Sequence, residues 1–288
     1  MAKEIGKIWT ILDLIHWGKV YFEQKGIDSP RLTIELLLCH TLDISRVQLY
    51  VLYDRPLAEH ELSVLREYCG RRAKREPLQY VIGKSHFYGL EFDVNNHVLI
   101  PRPETEILVD TVLQYLQQQN HRQKIIDIGT GSGCIPITIA SKASPEKIES
   151  ISAIDISAEA ISIAKHNAEI NNVTINFSQA DIFKDSIEKS TILISNPPYM
   201  SSEEMINKQP ELSFEPHIAL TDNENGLKFY TFFAINIHSM ISSGGAYFFE
   251  IHADHADIIK KMFSDISSEL HVLKDLSGLN RVIWGRIY

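Results

Sequence analysis

Three cysteines in 288 residues, at positions 39, 69 and 134, form no CxxC pair and have no other thiol close by in sequence. A disulfide framework and a thiolate zinc site are thereby excluded, and a reducing, cytoplasmic setting is expected. Long apolar runs are missing too. Charged or polar side chains interrupt "MAKEIGKIWTILDLIHWGKV", and no stretch approaches the roughly 18 apolar residues that cross a bilayer, so a soluble chain with no targeting segment is expected. The 12 histidines are scattered. Their one local grouping, His252 and His255 in "EIHADHAD", reads as a surface helix start, and no metal is expected. Positive charge is short as well: the net charge is −9. The deficit is uneven, because residues 1–95 balance 13 basic against 13 acidic side chains while the remainder holds 15 against 24. Such an acidic surface argues against a groove that neutralises duplex phosphates. The cluster Arg71, Arg72, Lys74 and Arg75 is the local exception, and a solvated helix face is the better reading of it. What remains, 44% apolar and 23% charged, is globular material with room for two cores.

Residues 1–80 carry only helical spacing. Ile5, Ile8, Ile11, Leu12 and Ile15 fall on one face, Ser29 and Pro30 have the types of an N-cap and first helical position, and "AEHELSVLREYCGRRAKR" extends a further helix. The pattern changes at residue 81, where "VIGKSHFYGLEFDVNNHVLI" alternates around turn signals at Gly89 and Asn95-Asn96, as a hairpin does. Pro103 can open the next helix, with Glu104 and Glu106 in its first turn. From about residue 124 strand and helix alternate through "KIIDIG", "ESISAID", "TINFSQAD", "TILISN" and "GGAYFFEIH". The tail "SELHVLKDLSGLNRVIWGRIY" reads as an antiparallel hairpin. The expected organisation is a small all-α domain (1–80), a β-hairpin linker (81–102) and a doubly wound α/β, Rossmann-like domain (103–288) with that hairpin at its end.

In such a sheet, ligands bind beyond the carboxyl ends of the strands. After the first strand, Gly129, Thr130, Gly131, Ser132 and Gly133 form a glycine turn before a helix, which suits a close backbone approach to a ligand or simply tight packing. Cys134 stands where a dinucleotide fingerprint has its last glycine, which argues against a dinucleotide. Asp155, 22 residues past Gly133, can accept from ribose hydroxyls; a helix cap is the alternative, although Ser157 serves better as the cap. Asp181 and Ile182, after the third strand, offer an acceptor and an apolar wall for a base. The fourth strand ends at Asn196-Pro197-Pro198-Tyr199. Two prolines cannot continue a ladder, so the strand stops and its backbone is released.

This order of strand ends resembles the class I S-adenosylmethionine methyltransferases, and the NPPY tetrapeptide resembles the subset that methylates planar, amide-like nitrogens. The side-chain oxygen of Asn196 and the carbonyl of Pro197 can each accept one N–H of an NH₂ group, and Tyr199 can pack on its plane. NPPY is shared by adenine-N6 and protein methyltransferases. The segments "PLQYVIGKSHFYGLEFDVNNHVLIPRPETEILV", "FEPHIALTDNENGLKFY" and "KDLSGLNRVIWG" add a resemblance to the release factor glutamine methyltransferase family, the HemK/PrmC type.

That resemblance implies transfer of a methyl group from S-adenosylmethionine, leaving S-adenosylhomocysteine, to the side-chain amide of the glutamine in the GGQ motif of class 1 peptide chain release factors. It implies cofactor binding by residues 129–133, Asp155, Asp181, Ile182 and Asn196. Substrate would be held by Asn196 to Tyr199, with Phe87, Tyr88, Arg102 and Pro103 near the site mouth; for Arg102 a salt bridge supporting the linker is an equal alternative. No stable nucleic-acid or membrane partner is expected. An adenine-N6 nucleic-acid methyltransferase is the competing enzyme class, and a non-catalytic binding module the third possibility.

Overall fold

The computed structural model describes residues 8–288, so Ile5 lies outside the described residues. The chain divides into two compact units, Met1–Gly83 and Lys84–Tyr288. In the first, α1 (Ile11–Gln24) starts at a capping box between Thr10 and Asp13. Its buried stripe is Ile11, Leu14, Ile15, Gly18 and Phe22. Ile8 and Leu12, expected on that face, are exposed: Ile8 precedes the helix, and Leu12 is rotated off the stripe by one residue, roughly 100°. α2 (Pro30–Leu42) begins at Pro30 as expected, yet the Ser29 side chain accepts no capping hydrogen bond, because its backbone is left-handed (φ 50°) where a side-chain cap needs extended geometry.

α3 (Arg46–Val51), α4 (Glu59–Ala73) and α5 (Leu78–Ile82) complete this unit around Ile34, Leu37, Leu38, Leu49 and Leu65. The basic cluster of α4 is neither an open patch nor a solvated face. Arg71 grips Glu76 at 2.5 Å and the Tyr80 carbonyl at 3.0 Å, Arg72 donates to the Glu76 carbonyl at 3.0 Å, and Arg75 donates to that of Gly26. Three of its four cations thus hold the helical unit's own turns.

The second unit opens with the hairpin β1 (Lys84–Phe87) and β2 (Leu90–Asp93). Its two turn residues, Tyr88 and Gly89, have φ of 53° and 74°, the mirror-image turn whose twist suits two-residue hairpins. The Asn95-Asn96 signal marks a turn after β2 and joins no strands. Glu106 accepts from the Tyr88 N–H at 2.7 Å and Asp110 from its hydroxyl at 2.5 Å, which holds this non-glycine residue at positive φ. Both acids lie on α6 (Thr105–Gln118), which starts two residues after Pro103 with Glu104 at its N-cap.

There follow β3 (Gln123–Ile128), α7 (Cys134–Lys142), β4 (Ile148–Asp155), α8 (Ala158–Ile170), β5 (Asn176–Gln179), β6 (Ser190–Ser195), α9 (Ser202–Ile206), α10 (His217–Leu220), α11 (Lys228–Met240), β7 (Ile241–Glu250), α12 (Ala256–Phe263), β8 (Ser267–Lys274) and β9 (Asn280–Ile287). The seven-stranded sheet has the order β5-β4-β3-β6-β7-β9-β8. Strands β3 to β7 run parallel, and the β8/β9 hairpin closes one edge antiparallel. Strands buried on both faces read as near-continuous apolar runs. Ile125, Ile192 and Phe248 pack on one side with residues of α6 and α7, and Ile126, Leu193, Tyr247 and Phe249 on the other with residues of α11 and α12. The chain leaves β3 for β4 and β5, then returns to the far side of β3 with β6, so a crevice opens where Ile128 faces Ser195. Among the described residues no helix is long and apolar enough to cross a membrane.

Candidate active site

At this switch point the glycine turn forms one lip. Gly129, Gly131 and Gly133 all have positive φ, but they do different things. A Cβ at Gly129 or Gly131 would meet nothing within 4 Å, whereas one at Gly133 would stand 2.8 Å from Ile137 and 3.1 Å from Ala164. The first two leave room for a ligand; the third lets α7 pack. Asp155, at the end of β4, pins the turn: Oδ2 accepts from the Gly131 N–H and Oδ1 from the Ser157 N–H, each at 2.9 Å. Ser157 in turn caps α8 by accepting from the Ala160 N–H at 3.1 Å. Burial raises the pKa of Asp155, and these backbone N–H groups oppose the rise.

A cavity of about 280 Å³ lies beyond the strand ends, and Gly129, Gly131, Asp155, Ile182, Asn196 and Pro197 line it together with Pro198. The remaining expected site residues are spread between the wall, the turn and places outside the cavity. Thr130 and Ser132 are buried in the turn. Asp181 lies in the cavity wall, where its carboxylate accepts from the Phe183 N–H at 3.0 Å and pairs with the exposed Lys184 at 2.7 Å. Phe87 is not at the mouth: the alternation of β1 turns it into the core, 2% exposed and edge-on to Phe92. Pro103 is exposed outside the cavity wall. Arg102 forms the salt bridge, its partner being the buried Glu215. Tyr199 also stands outside the wall, its hydroxyl donating to Glu250 Oε1 at 3.3 Å.

The second lip is the NPPY segment, and distant stretches brace it. Asn196 Nδ2 donates to Thr105 Oγ1 at 3.3 Å. The Met200 N–H donates to the Leu220 carbonyl and the Ser202 N–H to that of Glu224, each at 3.0 Å. Asp222 accepts from the N–H groups of Glu224, Gly226 and Lys228 at 2.8, 3.0 and 3.0 Å, which folds this loop under Tyr199. Glu215 accepts from the Ile100 N–H at 3.2 Å as well as from Arg102. "IPRPETE" and "FEPHIALTDNENG" therefore form one support. Thr105, Glu215, Asp222 and Gly226 had no signal of their own beyond membership of those segments.

Two buried acids also escaped notice, although an acid inside an apolar run, "KIIDIG" or "AYFFEI", is a visible anomaly. Asp127 is fully buried with neither carboxylate oxygen hydrogen-bonded among the described residues, and burial pushes its pKa up to about 7. Glu250, 2% exposed, is pushed up to about 7 by the same cause. A carboxyl whose pKa is higher folded than unfolded keeps its proton longer in the folded chain, so between about pH 4 and 7 stability falls as pH rises. Asp127→Asn is therefore expected to flatten the profile. Thermal unfolding of the ligand-free protein should show a smaller drop in Tm from pH 5 to pH 8 for this variant than for the wild type; equal drops would contradict it.

A parallel sheet closed by an antiparallel hairpin, with its crevice between a glycine turn and NPPY, defines a Rossmann-like methyltransferase. The same fold is found in a Pyrococcus furiosus methyltransferase crystal structure (TM-score 0.53, 16% identity, covering 75% of this chain and 98% of that one). Residues 13–83 match the family description "PrmC N-terminal domain" and residues 104–211 "Methyltransferase small domain". The chain is 36% identical to the release factor glutamine methyltransferase of Chlorobaculum tepidum, over 96% of each. It is 37% identical to that of Bacillus subtilis, over 97% of this chain and 98% of the other. It belongs to the release factor glutamine methyltransferase family.

Proposed function

We propose that this protein transfers a methyl group from S-adenosylmethionine to the side-chain amide nitrogen of the glutamine in the GGQ motif of class 1 peptide chain release factors, in the cytoplasm and without stable nucleic-acid or membrane binding. The helical residues 1–80 would recognise the factor. The observation that carries the reading is the β3–β6 register: it sets Asn196 and Pro197 across one crevice from the two open glycines.

The residues present fit S-adenosylmethionine. Gly129 and Gly131 leave open space for it, Asp155 in the cavity wall offers carboxylate lone pairs to ribose hydroxyls, and Ile182 with Phe183 walls the place for a base. When bound, the cofactor supplies an electrophilic sulfonium methyl.

The chain's own work is to hold an amide nitrogen whose lone pair is delocalised. Asn196 Oδ1 and the Pro197 carbonyl accept its two N–H groups and stabilise the positive charge that builds as conjugation is lost. Neither proline has an N–H to compete, and their fixed φ stiffens the carbonyl's direction. The methylated nitrogen is acidic enough to release its proton without a strong base.

Asp155→Ala removes contacts that are similar in ground and transition states. It is expected to raise the KM for S-adenosylmethionine roughly tenfold, the worth of a charge-assisted hydrogen bond, with kcat within a few-fold. Steady-state kinetics with varied cofactor check this; an unchanged KM would remove the ribose role.

The deciding experiment is mass spectrometry of a release factor incubated with the enzyme and S-adenosylmethionine. A methyl group on the GGQ glutamine is expected. Label on duplex DNA or RNA and none on the factor would replace this reading with the adenine-N6 one.

A further inference from the structure

Among the described residues β2 pairs with β1 alone. In an antiparallel pair every second residue turns its N–H and C=O away from the partner strand, and such outward groups need partners of their own where they are buried. In β2 they belong to Glu91 and Asp93, and α8 meets both. Asn171 Nδ2 donates to the Glu91 carbonyl at 2.9 Å, Asn167 Nδ2 donates to the Asp93 carbonyl at 3.0 Å, and Asn167 Oδ1 accepts from the Asp93 N–H at 2.7 Å. The spacing explains the fit. Four residues of helix rise about 6 Å and two of strand about 6.8 Å, so side chains one helical turn apart reach alternate residues of a strand. His166 Nε2 adds an exposed contact to Asp93 Oδ2 at 3.1 Å, worth little in solvent.

Asn167 has a third partner. It is wholly buried, and Nδ2 also donates to the Ser132 carbonyl at 2.9 Å, inside the glycine turn. Oδ1 thus faces one N–H and Nδ2 two carbonyls; turned over, the amide would set donor against donor and its oxygen against both carbonyls. The other ties of the turn run to β4 or within the turn itself. The Gly129 and Thr130 N–H groups donate to the Ile154 carbonyl at 2.9 and 3.0 Å, that of Gly131 to Asp155, and that of Gly133 to the Thr130 carbonyl at 2.9 Å. Asn167 adds a tie to α8, one residue before the glycine that lies against Ala164 of the same helix.

We propose that Asn167 is a positioning residue for the methyl donor: by holding the Ser132 carbonyl it fixes the glycine turn opposite Asp155 and joins that turn to the outer strand of the hairpin as one rigid piece. This rests on the turn being the S-adenosylmethionine site. Asn167 stands outside the cavity wall, so it acts through the turn. Without it the Ser132 peptide is freed while Asp155 and the open space at Gly129 and Gly131 remain. The loss falls on holding the donor, in ground and transition states alike, and spares the transfer step, which Asn196 and Pro197 govern.

Asn171→Ala is the matched control. Among the described residues its side chain is bonded to the Glu91 and Asn167 carbonyls, so its removal cuts a tie between the same helix and strand and leaves the turn alone. Calorimetric titration of S-adenosylmethionine into the full-length variants, well below their Tm, tests the proposal alongside release factor kinetics. Asn167→Ala should weaken S-adenosylmethionine binding roughly tenfold, as loss of one buried hydrogen bond does, with kcat at saturating cofactor within about threefold of wild type. Asn171→Ala should lower Tm and leave the Kd within about twofold. A wild-type Kd in Asn167→Ala, or equal weakening in the two variants, would overturn the proposal. Should Asn167→Ala not fold, amide exchange in the wild type decides. Openings that break the Asn167 contacts and disorder the site are suppressed by bound ligand, so at free S-adenosylmethionine of about ten times Kd the Asp93 N–H should exchange about tenfold more slowly; an unchanged rate would overturn it equally. Asp155→Ala separates the two levels. If both it and Asn167→Ala bind S-adenosylmethionine as the wild type does, the reading of the turn fails; if Asp155→Ala binds weakly and Asn167→Ala normally, only the positioning role fails.

Discussion

Asn196→Ala is expected to lower kcat for release factor methylation about a hundredfold, because one preorganised polar contact to a developing charge is worth on the order of 3 kcal/mol. The contact strengthens as the amide nitrogen loses conjugation, so the loss should fall on kcat and on kcat/KM together. Affinity for S-adenosylmethionine should change little by comparison, since Gly129, Gly131 and Asp155 belong to the other lip of the cavity. Single-turnover methylation beside a cofactor titration separates the two. A variant that binds cofactor normally and still turns over at the wild-type rate would show that NPPY is ornamental, as a binding module would require.

Gly226→Ala should damage both fold and turnover. Gly226 has φ +77°, and a Cβ there would lie 2.1 Å from the Tyr199 carbonyl oxygen and 2.8 Å from its carbon. Those are main-chain atoms, so relief requires moving the NPPY segment itself. Strain at positive φ contributes about 1 kcal/mol, and overpacking against fixed atoms a further 1–3 kcal/mol or so. Because small misplacements of a positioning group are amplified in rate, kcat should fall by more than about tenfold even where the variant remains folded. Gly89→Ala is the control: φ is +74° but a Cβ meets nothing within 4 Å. It should lose about 1 kcal/mol of stability and no activity. If the two variants unfold at the same temperature and turn over alike, Gly226 does not support NPPY.

The central strands β3, β6 and β7 were legible because each carries a buried apolar run that a following turn ends abruptly. The glycine turn, Asp155 and NPPY were legible for the same reason, being irregular residues at the ends of regular runs. What stayed hidden were pairings across long separations. Nothing local to Arg102 names Glu215, 113 residues away, as its partner, and nothing in "DNENG" says that Gly226 lies against Tyr199. Phe87 was misplaced because an aromatic beside a turn looks exposed until the strand's two-residue alternation is anchored. Asp127 and Glu250 were overlooked for a different reason. A strand acid reads as a defect in the apolar pattern, and its meaning depends on which neighbours leave it unpaired.

The sheet order also sets a sequence of events during synthesis. Strands β3, β4 and β5 are neighbours in both chain and sheet, so residues 123–179 can assemble as they emerge, bringing the glycine turn and Asp155 together early. β6 must then return across β5 and β4 to reach β3, and β7 must follow before Glu250 exists beside Asn196. A nascent chain thus completes the glycine-turn lip tens of residues before the NPPY lip. Under the proposed function, the half that would grip the methyl donor is finished while the half that would aim the acceptor is still being made.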